Sequence, residues 1–211
     1  MKKLILAAAV LMSAASAFAQ REAGTLSFQP KIGLNIAYYT NAPGTRPRLG
    51  LAAGAEFEYQ IVPKFSVSGG LMYSWQGAKE DNDTDYVGSI TATYKTDYIN
   101  FPILANVYLV KGLAVKFGIQ PAVNIKSRYE LSNSYSGEGS LSDLGIKINT
   151  FDFAIPVGLS YEHKNFVIDA RYNIGVTRLV DGDDARNRVA QITFGMKYDL
   201  FKRSISKERI Q

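Results

Sequence analysis

Eight stretches of this sequence alternate bulky apolar residues with small or polar ones, and that period of two limits the fold more than any other feature. Successive side chains of a β-strand point to opposite faces, so a strict alternation means a strand with two different surroundings. The stretches lie near 28–39, 49–61, 65–76, 97–109, 113–126, 150–162, 166–179 and 189–200. In the seventh, "FVIDARYNIGVTRL", one face carries Phe166, Ile168, Ala170, Tyr172 and Ile174, and the other Val167, Asp169, Arg171 and Asn173.

The connections alternate too. Tight turns at 62–64, 110–112 and 163–165 contrast with longer polar segments at 40–48, 77–96, 127–149 and 178–188. Short turns at one end and long loops at the other describe an all-β, eight-stranded, antiparallel, up-and-down transmembrane β-barrel, with its short turns in the periplasm. Three prolines inside the strands, Pro102, Pro121 and Pro156, require bulges or broken ladders, because a closed barrel has no free edge to excuse a missing N–H.

Alternation would equally fit a soluble periplasmic ligand-binding barrel with an apolar interior. The composition of the two faces separates the cases. A face turned to water is dense in charge, whereas here the polar face is mostly Gly, Ala, Ser, Asn and Gln. Such small side chains suit the inside of a narrow barrel. The apolar face is bulky and nearly uncharged, as a lipid-facing band must be, and Tyr38, Trp75, Tyr59, Tyr161 and Tyr198 fall near its two borders.

The ends agree with export. Residues 1–19, "MKKLILAAAVLMSAASAFA", read as a secretory signal ending in A-x-A, with an apolar run too short to span a bilayer as a helix. The expected barrel domain is then 20–201, followed by a short polar tail over 202–211. "TFGMKYDL" (193–200) has the spacing of a C-terminal barrel-assembly signal. The chain has no cysteine, which excludes disulfides and thiolate metal sites. Without Lys2 and Lys3, 22 basic residues face 19 acidic ones, too mild and scattered a charge for nucleic acid.

Several segments together resemble the PorT-like outer-membrane β-barrel family, often described as porin-family proteins. They are "KIGLNIA" (31–37), "LMYSWQGAK" (71–79), "YINFPILANVYLVKGLAVKFGIQPAV" (98–123), "VGLSYEHKNFVIDARYNIGVTRL" (157–179) and "NRVAQITFGMKY" (187–198). The resemblance covers nearly the whole chain after the signal. It implies a small outer-membrane barrel and, through the named member, an association with protein secretion.

Candidate chemistry is sparse. The single histidine, His163, lies in a turn with no serine nucleophile to serve, so no enzyme is expected. Asp81, Asp83 and Asp85 start like a calcium loop, but Tyr86 and Ala92 stand where that loop needs Gly and Glu; solvated loop acids are the plainer reading. The same holds for "DGDD" at 181–184. No cofactor is expected.

The inward faces carry Lys31, Glu56, Glu58, Lys116, Lys126, Asp152, Asp169, Arg171 and Lys197. These form either a permeation path or a salt-bridge plug that satisfies buried charge. The plug is the favoured reading, with Arg171 at its centre holding Asp152 and Asp169. The expected role is a structural or interaction barrel of the outer membrane, monomeric, in contact with outer-membrane lipid and with other envelope or secretion proteins. The rival is a narrow porin-like channel for ions or very small solutes.

Overall fold

The computed structural model of the protein describes residues 21–84, 88–132, 137–182 and 184–202. The expected signal segment, Asp85, Asp183 and the tail beyond Lys202 lie outside the described residues.

Eight staves form the fold: β1 (Thr25–Thr40), β2 (Thr45–Val62), β3 (Phe65–Thr84), β4 in two segments (Gly88–Asn100 and Ile103–Val110), β5 (Leu113–Ser132), β6 (Phe151–His163), β7 (Phe166–Gly175) and β8 in two segments (Arg186–Met196 and Tyr198–Lys202). A short strand, Gly137–Ser140, pairs with the far end of β5 and leads into a 3-10 turn at Leu141–Leu144. Each stave is antiparallel to the next, and β1 pairs with β8 from Lys31↔Gly195 to Thr40↔Arg186, which closes the ring. The tight turns fall where the alternation placed them; at the second, Gly112 has φ 76°, and a Cβ there would meet the Glu162 carbonyl at 2.2 Å.

The two faces sort as the alternation requires. Ile32, Leu34, Leu51, Phe57, Leu71, Phe117, Leu159, Ile168, Ile192 and Phe194 point outward and are exposed, while Asn35, Glu56, Ser66, Asn106, Lys116, Asp169 and Thr193 are buried inside. This polarity is the reverse of a soluble carrier. Backbone groups facing lipid have no water to bond, so only a closed ladder satisfies them.

Each proline sits at or opposite an interruption of that ladder. Pro102 separates the two segments of β4; there Gly70 N donates to the Pro102 carbonyl (3.1 Å) and Phe101 N to the Pro121 carbonyl (2.8 Å). Pro156 lies beside the gap in the β5–β6 ladder between Phe117↔Val157 and Gln120↔Ala154. Pro30, which the alternation passes over, faces the break between the two segments of β8. The missing N–H groups thus fall where no ladder partner is present to want them.

The structure corrects the expected loops. Much of 77–96 is strand, since the β3–β4 ladder continues from Met72↔Asn100 out to Thr84↔Gly88, and β5 runs to Ser132. Asp81 and Asp83 therefore continue β3, opposite Thr91 and Ser89, and do not begin a calcium loop. Staves β2 to β5 rise beyond the apolar band as a ribbon. The segments 141–150 and 176–182 fold over the mouth beside it, joined by the Ile148↔Val180 bridge and an apolar knot of Tyr39, Ala78, Leu179 and Ala185.

The face assignment predicts unequal mutants. Ile192→Arg, on the outward face midway along the band, should lose roughly 2–4 kcal/mol of stability. Val167→Thr, in the polar lumen, should lose far less. Parallel urea unfolding in lipid bilayers measures both; equal losses would contradict the assignment.

Candidate functional site in the barrel lumen

Long charged side chains enter the lumen from six staves, and glycines beside them leave the space. A Cβ on Gly70, opposite Glu56, would lie 2.3 Å from the Ala55 carbonyl and 2.6 Å from the Glu56 Cγ; one on Gly158, opposite Arg171, would lie 2.4 Å from the Ala170 carbonyl and 2.9 Å from the Arg171 Cγ. Small residues across the ladder thus decide where large ones fit.

At the centre, five charges make one network. Arg171 Nε and Nη2 donate to the two Asp169 carboxylate oxygens at 2.6 and 2.7 Å. Its Nη2 also reaches Glu56 Oε1 at 2.6 Å. Lys31 Nζ lies 2.9 Å from Glu56 and 3.6 Å from Asp169, and Lys116 Nζ 2.7 Å from Asp169 and 3.7 Å from Glu56. All five side chains are at most 3% exposed, so the group fills the barrel's cross-section. Two carboxylates are shared among three cations, each bridging more than one.

A second group closes the turn end. Lys197 Nζ bonds Glu58 and Glu162 at 2.9 Å each. Ser66 Oγ (2.7 Å) and the Tyr108 hydroxyl both donate to Glu58, and Arg21 bridges Glu162 and Asp199. Between the central network and the loop end lies a small cavity lined by Gln76, Asn100, Gln120, Asp152, Asn173 and Asn187. Beyond it, Tyr94 donates to Glu80 at 2.8 Å. Burial and that bond push the Tyr94 phenol up to about 12, so it stays a neutral donor at physiological pH.

Seven of the nine lumen charges read from the sequence are thus buried in these two networks: Lys31, Glu56, Glu58, Lys116, Asp169, Arg171 and Lys197. Two are not. Asp152 does not reach Arg171; it accepts from Thr177 Oγ1 (2.5 Å) and Phe153 N (2.9 Å), because β6 carries it into the cavity on the loop side of the network. Glu56 takes the second place on Arg171 instead. Lys126 points outward and is exposed, since the register slips between Asp97↔Lys126 and Tyr98↔Asn124 and the extra residue, Ile125, inverts the faces beyond it.

Two functional residues escaped the sequence reading. Glu162 lies on the polar face of its strand, and that parity was a usable signal; Arg21 precedes the first alternating stretch and had none. His163 is exposed at the turn end. Asp181 accepts from Asn149 (3.0 Å) and Asp184 pairs with Arg178 (2.9 Å), so these loop acids staple the mouth. Among the described residues, no group of three His, Cys, Asp or Glu could hold a metal ion.

A family described as "Outer membrane protein beta-barrel domain" matches residues 18–181. The chain belongs to that family. It is a small outer-membrane β-barrel protein. Ail, the attachment invasion locus protein of Yersinia pestis, solved with the heparin analogue sucrose octasulfate, is similar in structure; the two are 15% identical, 83% of this chain and 99% of Ail are covered, and the TM-score is 0.50. Neisserial surface protein A shares 12% identity over 82% of this chain and 97% of its own, at TM-score 0.48. The N-terminal barrel domain of Pseudomonas aeruginosa OprF shares 12% over 84% and 100%, at TM-score 0.37. At 15% identity the likeness to Ail is one of fold. A search of curated protein sequences finds no match to this chain.

Arg171→Ala would leave two buried carboxylates short of their shared partner, and breaking a buried pair in this way loses about 3–5 kcal/mol. Arg171→Lys keeps the charge without the planar fork and should lose less. Unfolding of both variants in lipid, followed by heat-modifiable gel mobility, gives the order: wild type, then Lys, then Ala.

Proposed function

We propose that this outer-membrane barrel is a closed scaffold that works through its ends and not through its lumen. The observation that supports this most strongly is the stack of three closures along one axis. The Lys197 group blocks the turn end, the Arg171 network fills the middle, and the knot around Leu179 covers part of the loop-end mouth. A hydrated ion entering such a path would have to break several buried ion pairs at once.

The ends are then what other envelope components meet. In this reading the tight turns face the periplasm and the raised ribbon of β2 to β5, with the loops beside it, faces outside, as short turns and long loops do in outer-membrane barrels. The resemblance to PorT-like proteins supports a role beside secretion or envelope assembly, carried by contacts with other proteins. The barrel itself is a monomer, since its ladder closes on itself and leaves no edge to pair.

The narrow channel is the second reading, and the polar cavity above the network is what favours it. Five amides and one half-buried carboxylate line it among small apolar residues, the polar groups a solute path would need.

Planar-bilayer recording of the purified protein separates the two. A closed scaffold gives no resolved conductance, whereas stable steps would put the channel first. Topology is read separately, with an impermeant thiol reagent on intact cells carrying Lys64→Cys or Lys147→Cys. Labelling at 147 and protection at 64 is expected; the reverse would invert the barrel.

A further inference from the structure

The cavity between the central network and the loop end has a wall that lacks one kind of partner. Asn100 on β4, Asn173 on β7 and Asn187 on β8 line it, and each is at most 3% exposed. The Oδ1 atom of each has no hydrogen-bond partner among the described residues. No buried donor on the lining side chains is left over in the same way among the described residues, so what this wall lacks is positive charge.

Asp152 on β6 adds one carboxylate to the wall. Its Oδ1 accepts from Thr177 Oγ1 and Phe153 N, while the contact of its Oδ2 with Asn187 Nδ2 is 3.5 Å long. Asn187 Nδ2 also donates to Gln76 Oε1, which fixes that amide and turns its oxygen away from both acceptors. No basic side chain among the described residues pairs with Asp152. Arg171 is held by Asp169 and Glu56, and Arg48 donates to the Gln76 carbonyl.

Small residues make the space. Ala122 stands between Asn100 and Asp152 in the ladder, and Gly175 lies opposite Ala154. About 10 Å³ is left, enough for one water-sized particle. A water molecule donates two hydrogen bonds, which cannot serve three amide oxygens and a carboxylate oxygen together. A cation serves all of them at once. Hard oxygen donors suit an alkali or alkaline-earth ion. Asp152 supplies the single negative charge, and the network beneath holds three cations to two carboxylates, so a divalent ion would be poorly compensated.

We infer that this cavity binds one monovalent metal cation of about sodium's size, held by Asn100, Asp152, Asn173 and Asn187. The ion joins β4, β6, β7 and β8 across the lumen, on the loop side of the Arg171 network. The site does not depend on whether the lumen conducts, because a bound ion adds to the plug of a closed barrel and marks a resting place in an open one.

Urea unfolding of the wild type in uncharged micelles, followed by the fluorescence of Trp75, the only tryptophan, is compared in sodium, potassium, calcium and choline chloride at one ionic strength. Sodium should raise the midpoint saturably, potassium less, and choline, too large for the cavity, not at all. Asp152→Asn should need about tenfold more sodium for half the rise, the loss of one charge-assisted contact. Asp184→Asn, exposed in the loop at the mouth, should match the wild type. Broadening of the sodium NMR line by the wild type, reversed by excess potassium, gives a second measure that needs no variant and decides alone if heat-modifiable mobility shows Asp152→Asn to be unfolded. Equal midpoints in sodium and choline, or no reversible broadening, would leave a buried water only and overturn the site. A larger rise with calcium, or unchanged sodium dependence in folded Asp152→Asn, would overturn it as well.

Discussion

The backbone hydrogen bonds between β1 and β8 hold the rest of the structure in place. A sheet edge in lipid would leave a row of N–H and C=O groups with nothing to bond, at several kcal/mol for each group. Closing β1 on β8 removes that edge, and the closure then fixes everything else. It gives the chain an inside, makes that inside narrow, and obliges any charge on the inner faces to find a partner across it. The prolines show how strict the condition is. Each falls where a stave is broken or its neighbour's ladder is interrupted, so the ring tolerates a missing donor only where none is called for.

Once the ring is closed, the lumen becomes a desolvated space crossed by strands a few ångströms apart. Glu56 and Asp169 find partners there because Arg171, Lys31 and Lys116 converge on them from three other staves or from two residues away on the same one. Their reach depends on size matching across the ladder: Gly70 beside Glu56 and Gly158 beside Arg171 give the space that long side chains need. The same principle runs in reverse outside, where glycines give way to Leu, Ile and Phe that face lipid. The turn-end group around Lys197 repeats the inner logic with Glu58, Glu162 and Tyr108, and it uses the interruption of β8 at Lys197 to bring that ammonium between two carboxylates.

The ribbon of β2 to β5 shows what alternation does and does not report. Apolar alternation ends at Trp75 on β3, yet the ladder continues to Thr84. The pattern in the sequence marks where the outer face stops touching lipid, not where the strand stops. Beyond that border the outward positions turn polar, and the segment reads as a loop although its backbone bonds are made. Lys79, Lys126 and Arg128 stand on this border, where the registers bring them near Tyr73 and Trp75.

By itself the sequence determined the architecture, because a period of two is a local property that each strand carries alone. Eight alternating stretches, three tight turns and an uncharged face were enough for the number of staves, their antiparallel order and which face meets lipid. It also determined that Glu56, Asp169, Arg171, Lys31 and Lys116 point inward. Only the tertiary structure decided which of them meet. Asp152 and Glu56 are equally inward by parity, but the stagger of the strands sets Glu56 level with Arg171 and carries Asp152 above it. One bulge at Ile125 turns Lys126 from lumen to surface. Register and bulges depend on pairing between distant strands, and a period counted along one strand cannot contain them.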